Sequence, residues 1–399
     1  MRLARFLNKI IKKEGLILIG ANGKKYIIGN PINKKNPLTL KILNKKVEIK
    51  LLLYPDFYFG KSYMDGDIVV ENGDISDVLE VALKNIGRSQ ISLFSKTITK
   101  ARGLWRHISY FNTKFKAKKN VQYHYDLGDQ LYDMFLDKKH RQYSCAYWNK
   151  KNLTLEDAQE EMINHIIKKL NISNQDNILD IGCGWGGLAI AMAQKSGCRV
   201  TGITLSHNQL KYAKRRAREL KVDNLCDFRL EDYRDTKDKF SKVVSKGMIE
   251  HTSRKFYKNY FNKIYEVLKP KGVALIHGIG NIDKPGEPQP WISRFIFPGG
   301  FCPSLSQLIK PIENSKLVLS DLEMLPGFHY AETLKHWRIR FLKNKEKALK
   351  LYDSTFVRMW NFYLSSCEMT FRHTGQQNFQ LLLSKDVNVT PKTRDYIYS

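Results

Sequence analysis

No apolar run in this chain approaches the ~20 residues that a helix needs to cross a bilayer. Near the start, the longest is Leu16 to Ile19. The N-terminus is basic but no apolar stretch follows it, so no secretory signal is read and a cytoplasmic protein is expected. The six cysteines, Cys145, Cys183, Cys198, Cys226, Cys302 and Cys367, show neither CxxC pairing nor zinc-ligand spacing. Reduced thiols are the expectation for that compartment, and no metal is expected. Internal repeats and low-complexity blocks are missing too, which excludes repeat architectures. Acidic charge is scarce, with 39 Asp+Glu against 67 Lys+Arg, a formal net charge of +28. Such a surplus reflects either a low-GC codon bias or a polyanionic partner, nucleic acid or an anionic membrane surface.

Turning to what is there, 399 residues with 42% hydrophobic content suit two folded domains of unequal size. Residues 1–85 read as a first, accessory domain. Lys25–Ile28 and Lys46–Leu53 read as strands there, and Ser76–Leu83 as a short helix. Residues 86–120 read as a basic helical linker. Ile91, Phe94, Ile98, Trp105 and Ile108 are interleaved with Lys96, Lys100, Arg102 and Arg106. That pattern suits a membrane interface, or a linker packing its apolar face on the main domain. Residues 121–399 form the main domain. Helix and strand patterns alternate from about 156 to 277, which predicts an α/β fold with a parallel sheet and helices on both faces.

Within that domain, Ile178–Ile181 reads as a buried strand. It runs into Gly182-Cys183-Gly184-Trp185-Gly186-Gly187 and then a helix. The G-x-G-x-x-G spacing lets a backbone approach a ligand at the carboxyl edge of a sheet, in dinucleotide enzymes as well as methyltransferases. A dinucleotide site wants a carboxylate at the end of the second strand. Here that strand, Arg199–Ile203, ends in Thr204-Leu205-Ser206, whereas Glu231 and Asp232 follow the third strand, Asp227–Leu230. This placement favours the adenosine of S-adenosylmethionine. Glu250 follows the fourth strand, Val243–Ser245, and His277 ends the fifth, Val273–Ile276, so both are expected at the same edge.

Several stretches, in order, resemble the cyclopropane-fatty-acyl-phospholipid synthase family. They are Tyr63–Gly66, Tyr123–Gly128, Gln142–Trp148, Leu179–Gly186, Glu231–Asp235, Gly247–His251, Phe295–Gly300, His329–Ala331 and Arg358–Trp360. The glycine loop is generic to methyltransferases; Tyr143–Trp148 and Phe295–Gly300 are specific. The resemblance implies a Rossmann-like class I methyltransferase domain, a mostly parallel seven-stranded sheet, with a smaller N-terminal α+β domain. It implies that Tyr143, Ser144, Asp180, Gly182, Gly184, Thr204, Leu205, Gln209 and Glu231 hold S-adenosylmethionine. Cys145, Glu250, His277, Ile279 and Tyr330 would surround a bicarbonate ion, Cys145 and Ile279 largely through their backbones. It also implies that the first domain serves membrane docking and a homodimer.

The implied activity adds a methylene from S-adenosylmethionine to the cis double bond of a phospholipid acyl chain, at the inner face of the membrane. An alkene is a weak nucleophile and the sulfonium methyl a strong electrophile. Water must be excluded, and a base, bicarbonate, must take a proton from the new methyl group. Residues 281–345, read as an insertion outside the sheet, and the aromatic stretch Leu349–Phe371, with Leu351, Tyr352, Phe356, Met359, Trp360, Phe362, Tyr363 and Leu364, are expected to form the tail pocket or ordinary core.

The sequence departs from the family pattern at Lys246, where a small apolar residue is usual. It departs also at Ile249, usually Phe, and at Thr252 and Ser253, usually an aliphatic-Gly pair. Three other activities compete with the synthase reading. A sister enzyme would give a methyl branch. An RNA methyltransferase would use the basic surface, but nothing resembles an RNA-binding module and no nucleic acid is expected. A non-catalytic lipid binder is disfavoured by Glu250, His277 and Tyr330 together.

Overall fold

A computed structural model describes residues 1–87 and 128–398. The basic linker predicted at 86–120 and the stretch Tyr123 to Leu127 lie, but for the linker's first two residues, outside the described residues. The chain divides into two units. One comprises Met1–Ile108, Pro288–Pro298 and Leu334–Gly375; the other comprises Ser109–Glu287, Gly299–Thr333 and Gln376–Ser399.

The first unit carries a four-stranded sheet of order β2-β1-β3-β4, made by β1 (Leu16–Ile19), β2 (Lys25–Ile28), β3 (Thr39–Ile42) and β4 (Ile68–Glu71). Lys46–Leu53, expected as a strand, is instead the helix Lys45–Leu53. Val47, Ile49, Leu51 and Leu53 alternate as a strand would, which misled the sequence reading. Only Val47 and Leu51, four apart on one helical face, are buried; Ile49 and Leu53 stay exposed. Asn44 caps this helix by accepting from Lys46 N at 3.0 Å. The helix expected at Ser76–Leu83 is present over 75–87.

A long helix of the same unit, Ser354–His373, brings in the aromatic stretch. Trp360, Phe362, Tyr363 and Leu364 are buried. Phe362 meets Trp291 edge-on at 4.7 Å, and Tyr363 meets Phe297 at 5.8 Å. Leu351, 44% exposed, stands outside this packing.

The second unit holds a seven-stranded sheet of order β10-β11-β9-β8-β5-β6-β7. Its strands are β5 (Asn177–Ile181), β6 (Arg199–Thr204), β7 (Cys226–Leu230), β8 (Phe240–Lys246), β9 (Leu268–Asn281), β10 (Val318–Leu325) and β11 (Gln376–Ser384). Strands β5 to β9 pair in parallel, and β11 runs antiparallel between β9 and β10. Two expectations need correction. The stretch 281–345 is not wholly outside the sheet, because it supplies β10. His277 does not end its strand, because β9 runs on to Asn281, held by pairing with β11.

The sequence order runs outward from β5 through β6 to β7, then returns to place β8 on the other side of β5. That reversal opens a crevice at the carboxyl ends of β5 and β8, where loops diverge and a ligand has room. The core beneath it is apolar, with Leu179, Ile181, Val243, Ala274, Ile276 and Phe379 all nearly inaccessible.

Candidate active site

The loop after β5 lies in this crevice. Gly182 N and Cys183 N both donate to Ile203 O at 3.0 Å, tying the loop to β6. Gly184 has φ +56°, left-handed, and a Cβ there would meet nothing within 4 Å, so the loop backs onto open space. Gly187 needs its missing side chain for another reason: a Cβ there would fall 1.8 Å from His140 O. The segment 137–148 therefore passes directly over the start of the helix Gly187–Ser196.

Asp137 shapes that segment. Its carboxylate accepts from His140 N at 2.6 Å, Arg141 N at 3.0 Å and Gln142 N at 2.7 Å. Arg141, at φ +50°, stacks its guanidinium over Trp185 and Tyr212 at 4.9 and 4.3 Å. Beyond it, Tyr143 sits edge-on to Tyr132 at 5.5 Å. Ser144 O accepts from Gln159 Nε2 at 2.8 Å. Ala146 N and Trp148 Nε1 both donate to Thr333 Oγ1 at 3.1 Å, and Trp148 N donates to His329 Nδ1 at 3.0 Å. Gln159, His329 and Thr333 as supports of this strap were missed by the sequence reading. Nothing marks them locally, because Gln159 acts 15 positions away and His329 and Thr333 more than 180.

On β6, Thr204 Oγ1 donates to Gln209 Oε1 at 2.7 Å. Ser206 caps the following helix, accepting from Gln209 N at 3.3 Å. Glu231 and Asp232 part ways. Glu231 N donates to Thr204 O at 3.1 Å, which sets it beside β6, and its Oε1 accepts from Thr236 Oγ1 at 2.5 Å. Asp232 caps a short 3-10 turn, accepting from Arg234 N at 3.0 Å.

Across the crevice, the loop after β8 meets the glycine loop: a Cβ on Gly182 would touch Met248 at 3.3 Å. Glu250 lies in a 3-10 turn, Ile249–His251, 8% exposed. Its Oε1 accepts from Ile279 N at 2.5 Å, while Oε2 is buried with no hydrogen-bond partner. Burial raises this carboxyl to about 7, against the lowering pull of the Ile279 N–H. The Ile279 N–H thus serves Glu250 before it serves any ligand. Asp180, at the end of β5, has a second buried oxygen without a partner, Oδ2. Burial raises it to about 7 as well, only partly offset by Lys246.

His277 is 1% exposed and pairs in register with Lys246 of β8 and Gln380 of β11. Its ring is flanked by the Gln380 amide at 3.2 Å and the Asn378 amide at 3.5 Å. Both amides face it through nitrogen; a neutral imidazole has a single acceptor, so only one of them donates to it, and Asn378 Oδ1 and Gln380 Oε1 are buried without a partner. Burial keeps the ring neutral, well below its ordinary range. Asn378 and Gln380 escaped the sequence reading because the polar start of β11, Gln376-Gln377-Asn378-Phe379-Gln380, lacks the apolar pattern that marks a buried strand. Cys145 is 1% exposed and burial pushes its thiol far up, so it is not a thiolate nucleophile. Tyr330 stands on the first turn of the helix Gly327–Lys343, 9% exposed.

A parallel sheet with this strand order, reversed beside β5 and closed by an antiparallel β11, is the fold of class I methyltransferases. Residues 112–381 match the family described as mycolic acid cyclopropane synthetase. The chain belongs to that family. It is 36% identical to the cyclopropane-fatty-acyl-phospholipid synthase of Escherichia coli K12 over 363 residues, 90% of this chain and 91% of that protein. It is 34% identical to a probable fatty acid methyltransferase of Pseudomonas putida, over 70% of this chain and 73% of that one. Among solved structures, mycolic acid cyclopropane synthase CmaA1 complexed with SAH and CTAB is 29% identical with a TM-score of 0.63, covering 67% of this chain and 98% of that one.

Among the described residues, no helix is long and apolar enough to cross a membrane. No group of three or more His, Cys, Asp or Glu among them could hold a metal ion.

Proposed function

We propose that this chain is a cyclopropane-fatty-acyl-phospholipid synthase. It transfers a methylene from S-adenosylmethionine to the cis double bond of a phospholipid acyl chain, with bicarbonate as the base. The observation that carries the proposal is the pairing, across one crevice, of an open glycine loop with a buried carboxyl group, Glu250, that has one unengaged oxygen.

The residues present fit both small molecules. The open space at Gly184 suits a close-lying nucleoside, and the unengaged Asp180 Oδ2 suits a donor such as an amino group. Tyr143, Ser144, Asp180, Gly182, Gly184, Thr204, Leu205, Gln209 and Glu231 would hold S-adenosylmethionine, whose sulfonium supplies the transferable carbon. The unengaged Glu250 Oε2 suits the hydroxyl of bicarbonate, an acid hydrogen that a carboxylate accepts strongly. Glu250, His277 and Tyr330 would orient the anion, with the backbones of Cys145 and Ile279 closing its surroundings.

The chain's own contribution is orientation and dryness. Ile279 N–H fixes the Glu250 carboxylate, and Gln380 and Asn378 fix the His277 ring, so neither pivots when a ligand enters. The low accessibility of Glu250 and His277 keeps water from an electron-poor acyl chain. A net charge of +28 supports an anionic phospholipid surface as the place of work; the first domain, residues 1–85, would serve docking there and a homodimer, as the family resemblance implies.

The test mixes the protein with S-adenosylmethionine, bicarbonate and vesicles of a cis-monounsaturated anionic phospholipid. Released fatty acids are then read by mass spectrometry and proton NMR. A gain of one carbon with upfield ring-methylene protons is the expected result. Retained vinyl protons or a methyl doublet would move the activity to a methyl-branching transferase. Methylation of added RNA, with the lipid untouched, would overturn the lipid reading.

A further inference from the structure

Lys246 is the residue that neither the fold nor the proposed site requires. It ends β8 and pairs in register with His277. It is 9% exposed, and its Nζ donates to Gln142 Oε1 at 3.2 Å, the side chain of a residue 104 positions earlier. Among the described residues no ion pair joins it to a carboxylate. A lysine ammonium has three donors, and a neutral amide oxygen occupies one of them. A buried cation in this condition is unfavourable by itself and becomes favourable when an anion enters beside it.

The groups facing it define which anion. Asp137 and Cys145 come from the strap, Asp180 from β5 and His277 from β9. Asp137 is already engaged by three backbone N–H groups. Cys145 stays a thiol and His277 stays neutral, both because of burial. Two members of this ring, Cys145 and His277, belong to the proposed bicarbonate surroundings. A second cation placed against a sulfonium would be repelled, whereas the same cation beside a carboxylate-type anion is attracted.

We infer that Lys246 is the charge partner of the anionic base: its ammonium holds bicarbonate in the crevice, steered there by the bond to Gln142. The inference rests on the proposed synthase reading and adds a binding residue to it. Burial lowers this ammonium to about 8, with Cys145, Asp137 and Asp180 pulling the other way. The hold on the anion therefore weakens as pH rises through about 8.

The experiment measures bicarbonate binding to the whole chain by calorimetry and by the bicarbonate-induced rise in Tm, without turnover, in chloride-matched buffer. S-adenosylhomocysteine binding is measured in parallel. Lys246→Met is expected to weaken bicarbonate binding at least tenfold at pH 7 and to leave S-adenosylhomocysteine affinity within about twofold. Lys246→Arg, always charged, is expected to bind bicarbonate within about threefold of wild type and to lose the weakening above pH 8. Wild-type bicarbonate affinity in Lys246→Met would overturn the inference. So would a variant that loses S-adenosylhomocysteine instead, which would assign the lysine to Asp180 and the cofactor. If Lys246→Met does not fold, Lys246→Arg still decides, because an unchanged fall in affinity above pH 8 would exclude the lysine as its source. A wild-type protein that forms ring product with no measurable bicarbonate binding would sink the lysine inference while leaving methylene transfer intact. A wild type that binds bicarbonate but forms no ring product would sink the synthase reading instead.

Discussion

In the second unit, Lys169, His165, Asp321 and Glu323 form one paired ionic cluster; Asp180, Lys246, Glu250 and His277 are a second set of titratable groups, all buried and without a salt bridge among the described residues. In the first, Lys169 is fully buried yet pairs with Glu323 at 2.7 Å and Asp321 at 3.1 Å, and His165 reaches Glu323 at 2.7 Å. Glu323 is held down at about 2 by these partners, against its own burial. In the second, Asp180 and Glu250 are held up at about 7 by burial, each with an oxygen left over. Asp180 and Glu250 are the more deeply buried carboxyls and no cation among the described residues bonds them, whereas Glu323, less buried, is bonded by two. Complete pairing belongs to a cluster that holds a fold together. Pairing left incomplete in a crevice, where each unmet group costs stability, belongs to a site waiting for a ligand.

The largest break in this contrast is expected at Glu250. Glu250→Gln keeps the shape but loses the negative charge, and turnover should fall by about 10²–10⁴-fold in the vesicle assay. Near-wild-type turnover would remove Glu250 from the site. In the paired cluster the damage should be to stability. Lys169→Met strands Asp321 and Glu323, and denaturant titration should show a loss of about 3–5 kcal/mol. A variant as stable as wild type would mean that Arg394, 3.2 Å from Asp321, and His165 suffice for the two carboxylates.

Titration of stability sharpens the same contrast, because the two glutamates have opposite signs. Glu250 has a folded value of about 7, above its ordinary 4.5. Its contribution is full below 4.5 and lost as pH rises through about 7. Glu250→Gln should therefore be more stable than wild type by up to about 3 kcal/mol at pH 8, with no gain at pH 4. Glu323 has a folded value of about 2, below 4.5. Its contribution is present above 4.5 and lost as pH falls through about 2. Glu323→Gln should be less stable at pH 7 by up to about 3 kcal/mol, the gap closing near pH 2. Parallel slopes for the two variants in Tm against pH would void the distinction. The smallest effect belongs to Cys145. Cys145→Ala removes only a buried thiol, so it should cost about 1 kcal/mol of stability and leave turnover within about tenfold. A complete loss of turnover would make the thiol itself a participant.

Much of this was legible along the chain. The glycine loop, the five parallel strands and the placement of Glu231 and Glu250 after strand ends follow from short-range patterns that a parallel sheet imposes on its own sequence. Where two periodicities coincided, reading failed: Val47, Ile49, Leu51 and Leu53 alternate like a strand, and only packing against the rest of their unit selects the helix. The strand β10 was hidden for a related reason. Its Asp321 and Glu323 face partners, Lys169 and His165, more than 150 positions earlier.

What the sequence by itself determined is the class of fold and the family, and it singled out the candidate side chains, because those depend on residue type and local spacing. What only the tertiary structure decided is their state. Whether a carboxyl sits near 2 or near 7, whether Lys246 meets a carboxylate or an amide, and which amides clasp His277 depend on groups brought together across the sheet. Charge energies vary with distance and with the water excluded, and neither quantity is written in the order of residues.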